Sequence, residues 1–322
     1  LIRTRKKRVS SMFWKKKRIG LALGGGGARG LAHIGVLKAL EREKIPIDLI
    51  VGTSIGALVG GAYASGTNPD ELQRRVEAYL ESSDFHSSAI RAFGTAHSKG
   101  DSGLARKIQA YLRNYFYLIQ ALFKPGILSN EDFQKTIDYF IPDIQIEETR
   151  IPFRAVTTDL VSGKQITFSQ GSLRQAVMAS CAVPGAFSPL REGEKLLSDG
   201  GITCLVPSSV ARQEGADIVI SVAVNRCMTT EEPRNVVDIY YRVSEIMGER
   251  LKDYELAEAD VVILPEAGDL HWSDFSQAIN LIEEGERVTK ERLEDIRRLL
   301  PGIKNWFGFF KTSKRNPKKI SP

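Results

Sequence analysis

Short apolar runs alternate with stretches of helical spacing along most of this chain. Residues 19–23 (IGLAL) contain no polar position, which predicts a strand buried on both faces. Beyond it, Leu31, Ile34, Leu37 and Leu40 recur at helical spacing as far as Lys44. Residues 47–52 (IDLIVG) predict a second buried strand, and SIGALVGGAYASG (54–66) a helix of small residues stopped by Gly66. IPFRAVTTDLVSGKQITFS (151–169) reads as two strands around a Ser162–Gly163 turn. KLLSDGG (195–201) ends another strand, and ADIVISVAV (216–224) and ADVVILP (259–265) are two more. Strands alternating with helices predict an α/β fold, a mainly parallel sheet covered on both faces. No internal repeat or linker interrupts residues 19–300, so a single domain is expected there. The polar, Gly/Ser-containing stretch from Asp84 to Ser102 predicts a mobile loop. The aromatic helix expected over 104–123 is read as core packing, with a lid as the alternative.

Composition narrows the class without naming it. Of 322 residues, 42% are hydrophobic and 26% charged, values ordinary for a globular protein. Cys181, Cys204 and Cys227 form no CxxC pair, which argues against a disulfide framework or a zinc site and for a reducing compartment. No apolar run approaches the ~18 residues of a membrane span, and no secretory signal is visible, so a cytoplasmic location is expected.

Charge changes the picture more. The formal net charge of +6 is concentrated at the ends. Residues 1–18 carry nine Lys/Arg and residues 301–322 carry six, with no acid in either segment. Phe13 and Trp14 sit in the first tail, and Trp306, Phe307, Phe309 and Phe310 in the second. Basic residues interleaved with bulky rings suit an anionic membrane surface, so the tails are expected to hold the protein peripherally on the inner face of a membrane. A solvated, disordered tail is weighed equally, and nucleic-acid binding is not expected.

Three motifs carry candidate chemistry. In LALGGGGARGLAHIGVL (21–37), Gly25, Gly27 and Gly30 match G-x-G-x-x-G between a strand and a helix. A dinucleotide site would need an acid at the end of the second strand, which instead ends in VGTSIG. A phosphate loop would need Gly-Lys-Ser/Thr, also absent. What remains is a run of backbone N–H groups aimed at a negative oxygen. Gly52-Thr53-Ser54-Ile55-Gly56 is G-x-S-x-G on a strand-to-helix turn, the form that exposes a nucleophilic serine. Its other reading is a helix cap made by Ser54 or Thr53. Asp199-Gly200-Gly201 ends a strand and by default would be a turn. Among the histidines, His33 reads as structural, and His86 and His97 fall in the polar stretch. His271 alone follows Asp199 in the order Ser…Asp…His, leaving a triad as a minor alternative.

Taken together, LALGGGGARGLAHIGVLKAL, IDLIVGTSIGALVGGAYASG, ASCAVPGAFSPL and LLSDGGITCLVPSSVARQEGAD resemble a bacterial patatin-like phospholipase over residues 19–265. The resemblance implies a three-layer α/β/α sandwich and a Ser–Asp dyad cleaving acyl esters of phospholipid or lysophospholipid, with neither cofactor nor metal. By position, Ser54 would be the nucleophile and Asp199 its base. Backbone N–H groups of Gly25, Gly26, Gly27 and Arg29 would form the oxyanion hole, with Gly30, Gly52, Gly56, Gly200 and Gly201 completing the motifs. Arg29 has two further readings, pairing a substrate phosphate or bonding nearby carbonyls, and Asp159 is read as structural. A dyad is chemically sufficient: burial raises the basicity of an aspartate from its ordinary pKa of ~3.9. Each oxyanion donor adds about 3 kcal/mol of transition-state stabilisation. The alternatives are a membrane-associated regulatory or binding protein that keeps this fold with little turnover, and a dinucleotide-binding oxidoreductase.

Overall fold

The computed structural model describes residues 17–87, 126, 128–224, 232–234 and 236–300. The aromatic segment 104–123, His97, Cys227, residues 1–16 of the first tail and the whole second tail lie outside them.

The elements run β1 (Ile19–Leu23), α1 (Ala32–Arg42), β2 (Leu49–Thr53), α2 (Ile55–Ala64), α3 (Pro69–Glu81) and α4 (Ser83–Ser87). After these come α5 (Asn130–Phe140), β3 (Phe153–Asp159), β4 (Gln165–Phe168), α6 (Leu173–Ser180), β5 (Leu190–Glu192) and β6 (Lys195–Asp199). The chain continues with α7 (Ser208–Gln213), β7 (Ile218–Val222), α8 (Val236–Leu256), β8 (Val261–Ile263) and α9 (Ala278–Leu299). The sheet order is β5-β6-β3-β2-β1-β7-β8, with β4 paired to β3. The five strands from β3 to β8 along this order are mutually parallel, whereas β4 and β6 each pair antiparallel with β3, on different edges of it, and β5 pairs antiparallel with β6. The expected mainly parallel sheet is therefore present, as are the two strands expected around Ser162–Gly163 and the strand ending at Asp199, and β5 is the strand that apolar patterning did not indicate.

Period-two alternation divides the sheet's side chains between two cores. Leu21, Leu23, Ile50, Phe153, Ala155, Ile220 and Val222 join the larger one, packed with α1, α2, α3, α5, α6 and α9. Ala22, Leu49, Val51, Val156 and Val219 face the other way, onto Val210 and Ala211 of α7. β1, β2 and β7 are buried at every position, as an uninterrupted apolar run requires. Helix α1 packs along α9. Gly35 of α1 lies against the Ile282 carbonyl, and Gly285 of α9 against the Ala32 carbonyl, so a methyl group at either would overlap backbone.

The start of the stretch expected to be a mobile loop is helical, and its residues 88–102 lie outside the described residues. Residues 83–87 form α4, because Phe85 is buried and packs edge-on against Phe275 with ring centroids 5.8 Å apart. His86 consequently lies on a helix. Among the described residues, no helix is long and apolar enough to cross a membrane.

Candidate active site

The sheet itself brings Ser54 and Asp199 together. On β3, residues 155–158 pair with β4 along one edge, so β2 and β6 must share the other. β2 occupies that edge up to Thr53, opposite Val156, and β6 takes it over with Asp199 opposite Thr157. Two strand ends, one parallel and one antiparallel to β3, thus meet on successive residues of a single strand. Ser54 follows directly on the first end, and Asp199 is the last residue of the second.

Ser54 sits at φ 55°, ψ −127°, a conformation that costs a side-chain-bearing residue about 1–3 kcal/mol. Although it occupies the N-cap position of α2, its side chain makes no capping bond, so the hydroxyl is left for other work. The turn is tight because small residues permit it. A Cβ at Gly56 would overlap the Leu23 carbonyl, which lets the start of α2 press onto the end of β1. Gly52 and Gly200 lie equally close to backbone, of Ala57 and Val156 respectively. Below the turn, the Ser54 N–H donates to Ser180 Oγ at 2.9 Å, and that hydroxyl donates to the Val156 carbonyl at 2.6 Å.

Asp199 is buried, with 6% of its surface exposed. Its Oδ1 accepts the Gly201 N–H at 2.7 Å, the short-range turn bond expected of Asp-Gly. Its Oδ2 accepts no hydrogen bond at all. Burial raises the carboxyl from an ordinary 3.8 to about 6, against the smaller opposing effects of the neighbouring Ser54 hydroxyl and the Gly201 N–H. The hydroxyl is thus near enough to influence the carboxylate without a closed bond to Oδ2. Cys181, also influenced by Asp199, is buried and held firmly as a neutral thiol.

The glycine loop runs along this pair. A Cβ built on Gly25 would stand 3.5 Å from the Ser54 Cβ, and one on Gly30 would overlap Ile55. The Gly24 N–H donates to the Val222 carbonyl at 2.9 Å and the Gly25 N–H to the Leu205 carbonyl at 2.9 Å. Gly25 therefore brings its backbone to Ser54 with its amide already engaged. Gly26 (φ 155°) and Gly27 (φ 58°) adopt positive φ, the latter beneath the Trp272 carbonyl, which also accepts the Ala28 N–H at 2.6 Å. None of the hydrogen bonds among the described residues uses the amides of Gly26 or Gly27. Two side chains hold the loop's carbonyls. His33 Nε2 bonds the Gly24 oxygen at 2.8 Å, and Arg29 Nε donates to the Gly26 oxygen at 3.0 Å. Of the readings for Arg29, the carbonyl contact is the one the structure displays. Burial lowers His33 to about 4, so it is a neutral Nε2–H donor in this contact.

The remaining candidates lie elsewhere. His271 Nδ1 pairs with Ser273 Oγ at 2.7 Å, and none of the hydrogen bonds among the described residues joins a histidine to Asp199. Asp159 accepts bonds from Ser162 Oγ (2.6 Å) and the N–H groups of Val161, Ser162 and Leu196, which pull its pKa to about 2 and knit the β3–β4 turn to β6. Among the described residues, no cluster of His, Cys, Asp and Glu could hold a metal ion. Ser180, Leu205 and Trp272 went unnoticed in the sequence because their partners lie far along the chain, 126 residues away for Ser180.

Comparison with known proteins places the chain in a family. An uncharacterized NTE family protein of Mycobacterium tuberculosis is 34% identical over 208 residues, covering 65% of this chain and 49% of the relative. Patatin-like phospholipase domain-containing protein 6 of Homo sapiens is 33% identical over 209 residues, covering 64% of this chain and 13% of that protein. The chain thus corresponds to about half the length of the mycobacterial relative and a small part of the human one. The crystal structure of VipD from Legionella pneumophila aligns with 87% of this chain and 67% of its own at 17% identity, with a TM-score of 0.48. The family model for patatin-like phospholipases matches residues 21–211, which include the glycine loop, Ser54 and Asp199, and the chain belongs to that family.

Proposed function

We propose that the protein is a serine acyl hydrolase of the phospholipase A or lysophospholipase type, working through Ser54 and Asp199 without metal or cofactor. The observation that carries this reading is the placement of a serine on a strained turn beside a buried carboxylate whose Oδ2 has no partner.

In this reading Asp199 Oδ2 takes the Ser54 proton as Oγ attacks the ester carbonyl. A basicity raised toward 6 suits that task better than an exposed carboxylate would. The oxygen anion that forms is met by the amides of Gly26 and Gly27. Gly25, expected among the donors, acts instead as backbone support, since Leu205 takes its N–H. Protonated Asp199 then donates to the leaving alkoxide as the tetrahedral intermediate collapses, giving an acyl-Ser54 and the released alcohol. A water molecule, deprotonated by the same carboxylate, hydrolyses the acyl-enzyme and restores Ser54. The substrate class, esters of membrane lipids, is supported by the family. The basic and aromatic tails support a peripheral position on an anionic membrane surface.

The test is hydrolysis of dispersed lysophospholipid and of a short-chain ester by the wild type and by Ser54→Ala. Turnover of both by the wild type and neither by the variant is expected. Equal turnover by the two proteins would remove Ser54 from the mechanism.

A further inference from the structure

The turn that carries Ser54 is fastened by a hydroxyl inserted into the β2–β3 ladder. In that ladder the Ile50 N–H donates to the Pro152 carbonyl at 2.9 Å. In a parallel pair the same strand edge repeats every second residue, so the register places the Ser54 N–H opposite the Val156 carbonyl. These two groups do not meet directly. Ser180 Oγ stands between them, accepting from Ser54 at 2.9 Å and donating to Val156 at 2.6 Å. Ser180 is fully buried at the last position of α6, so no water competes for either bond. Two residues later the Ala182 carbonyl accepts the Asp199 N–H at 2.9 Å and the Ser198 hydroxyl at 2.8 Å. One three-residue segment therefore grips the backbone of both Ser54 and Asp199.

We propose that Ser180 is a positioning residue, a hydroxyl rung that holds Ser54 off β3 at the separation from which its hydroxyl addresses Asp199. The proposal rests on the Ser54–Asp199 reading above. Without the hydroxyl, a buried N–H and a buried carbonyl lose their partners together, and the pairing left to them is with each other. Closing that gap draws Ser54 toward β3 and away from its working position. The Ser54 hydroxyl is one of the groups that lower the pKa of Asp199, so its retreat also raises that pKa.

The experiment compares Ser180→Ala with the wild type for kcat, KM and the pH dependence of kcat/KM on a soluble short-chain ester. The expected result is a fall in kcat of about a hundredfold, the effect of a ~1 Å misplacement, with KM little changed. The acid limb of the profile moves to higher pH. Ser180→Cys, similar in volume with a weaker donor, gives intermediate values and carries the same readouts should the alanine variant not fold. Ser208→Ala removes an equally buried hydroxyl, paired with Ser221 Oγ at 2.7 Å, and is expected to change stability but neither kcat nor the acid limb. A folded Ser180→Ala or Ser180→Cys protein with wild-type kcat and acid limb would overturn the proposal. So would a loss of activity in which the acid limb stays in place. Ser54→Ala is measured alongside. If it still turns over ester, the catalytic reading has failed; if it is inactive while Ser180→Ala matches the wild type, only the hydroxyl rung has failed.

Discussion

Replacing the proposed catalytic base should make this protein more stable. Asp199 is buried with Oδ2 unpartnered, and its pKa rises from 3.8 to about 6 on folding. A carboxyl whose native pKa exceeds its unfolded pKa binds its proton more tightly in the folded state. Between the two values the native protein is protonated while the unfolded chain is not, so stability falls as pH rises through that interval. Above the native pKa the whole cost of a buried charge is present. At about 1.4 kcal/mol for each pKa unit, the gap between 3.8 and about 6 corresponds to roughly 3 kcal/mol. Asp199→Asn keeps the shape and an oxygen to accept the Gly201 N–H but never carries the charge. It should therefore exceed the wild type in stability at pH 8 by up to ~3 kcal/mol, with the advantage shrinking through pH 6 to 4 and vanishing below. Urea unfolding of the two proteins at pH 8, 6 and 4 measures the difference directly. An asparagine variant no more stable than the wild type at pH 8 would refute the account of Asp199 as a strained buried anion. So would an advantage that does not depend on pH.

Three further outcomes follow from the same geometry. Because the base must be ionised, kcat/KM on a soluble ester should rise with pH through an apparent pKa of about 6, and an acid limb near the ordinary 3.8 would remove the role given to burial. His271→Ala should retain turnover within about threefold, since its ring pairs with Ser273 and not with Asp199; a hundredfold loss with the fold intact would revive the triad. Deleting residues 1–18 and 301–322 should weaken binding to anionic vesicles at low salt while sparing hydrolysis of the short-chain ester, and equal vesicle binding would dismiss the tails as membrane contacts.

Much of the candidate site can be read from the chain because the elements that carry it are local. β1 and β2 are continuous apolar runs since both faces are covered, and the glycine loop and G-x-S-x-G turn directly follow them. Strand β5 is different. β5 is three residues long, LRE, partly exposed throughout, and has no apolar alternation to betray it. Helix α8 inverts the usual pattern: Val236, Tyr240, Met247 and Tyr254 are exposed while Lys252 and Glu255 are buried. Glu255 reaches the Val206 N–H at 2.7 Å, in the segment that also supplies the Leu205 carbonyl to Gly25. Which loop amides remain available is likewise decided by a residue far off in sequence. A row of glycines shows that backbone comes close to something, and Leu205 then removes Gly25 from the donors while Gly26 and Gly27 stay unengaged among the described residues.

The central claim is that Ser54 is an activated nucleophile, and covalent capture tests it most directly. The full chain is treated with a fluorophosphonate at pH 8, digested, and the adduct located by mass spectrometry. The account predicts a single adduct on Ser54, with labelling slowed at least a hundredfold in Asp199→Asn and absent in Ser54→Ala, the scale expected when a base or nucleophile is lost. An adduct on another residue, or labelling of Ser54 that is as fast without Asp199 as with it, would contradict the account.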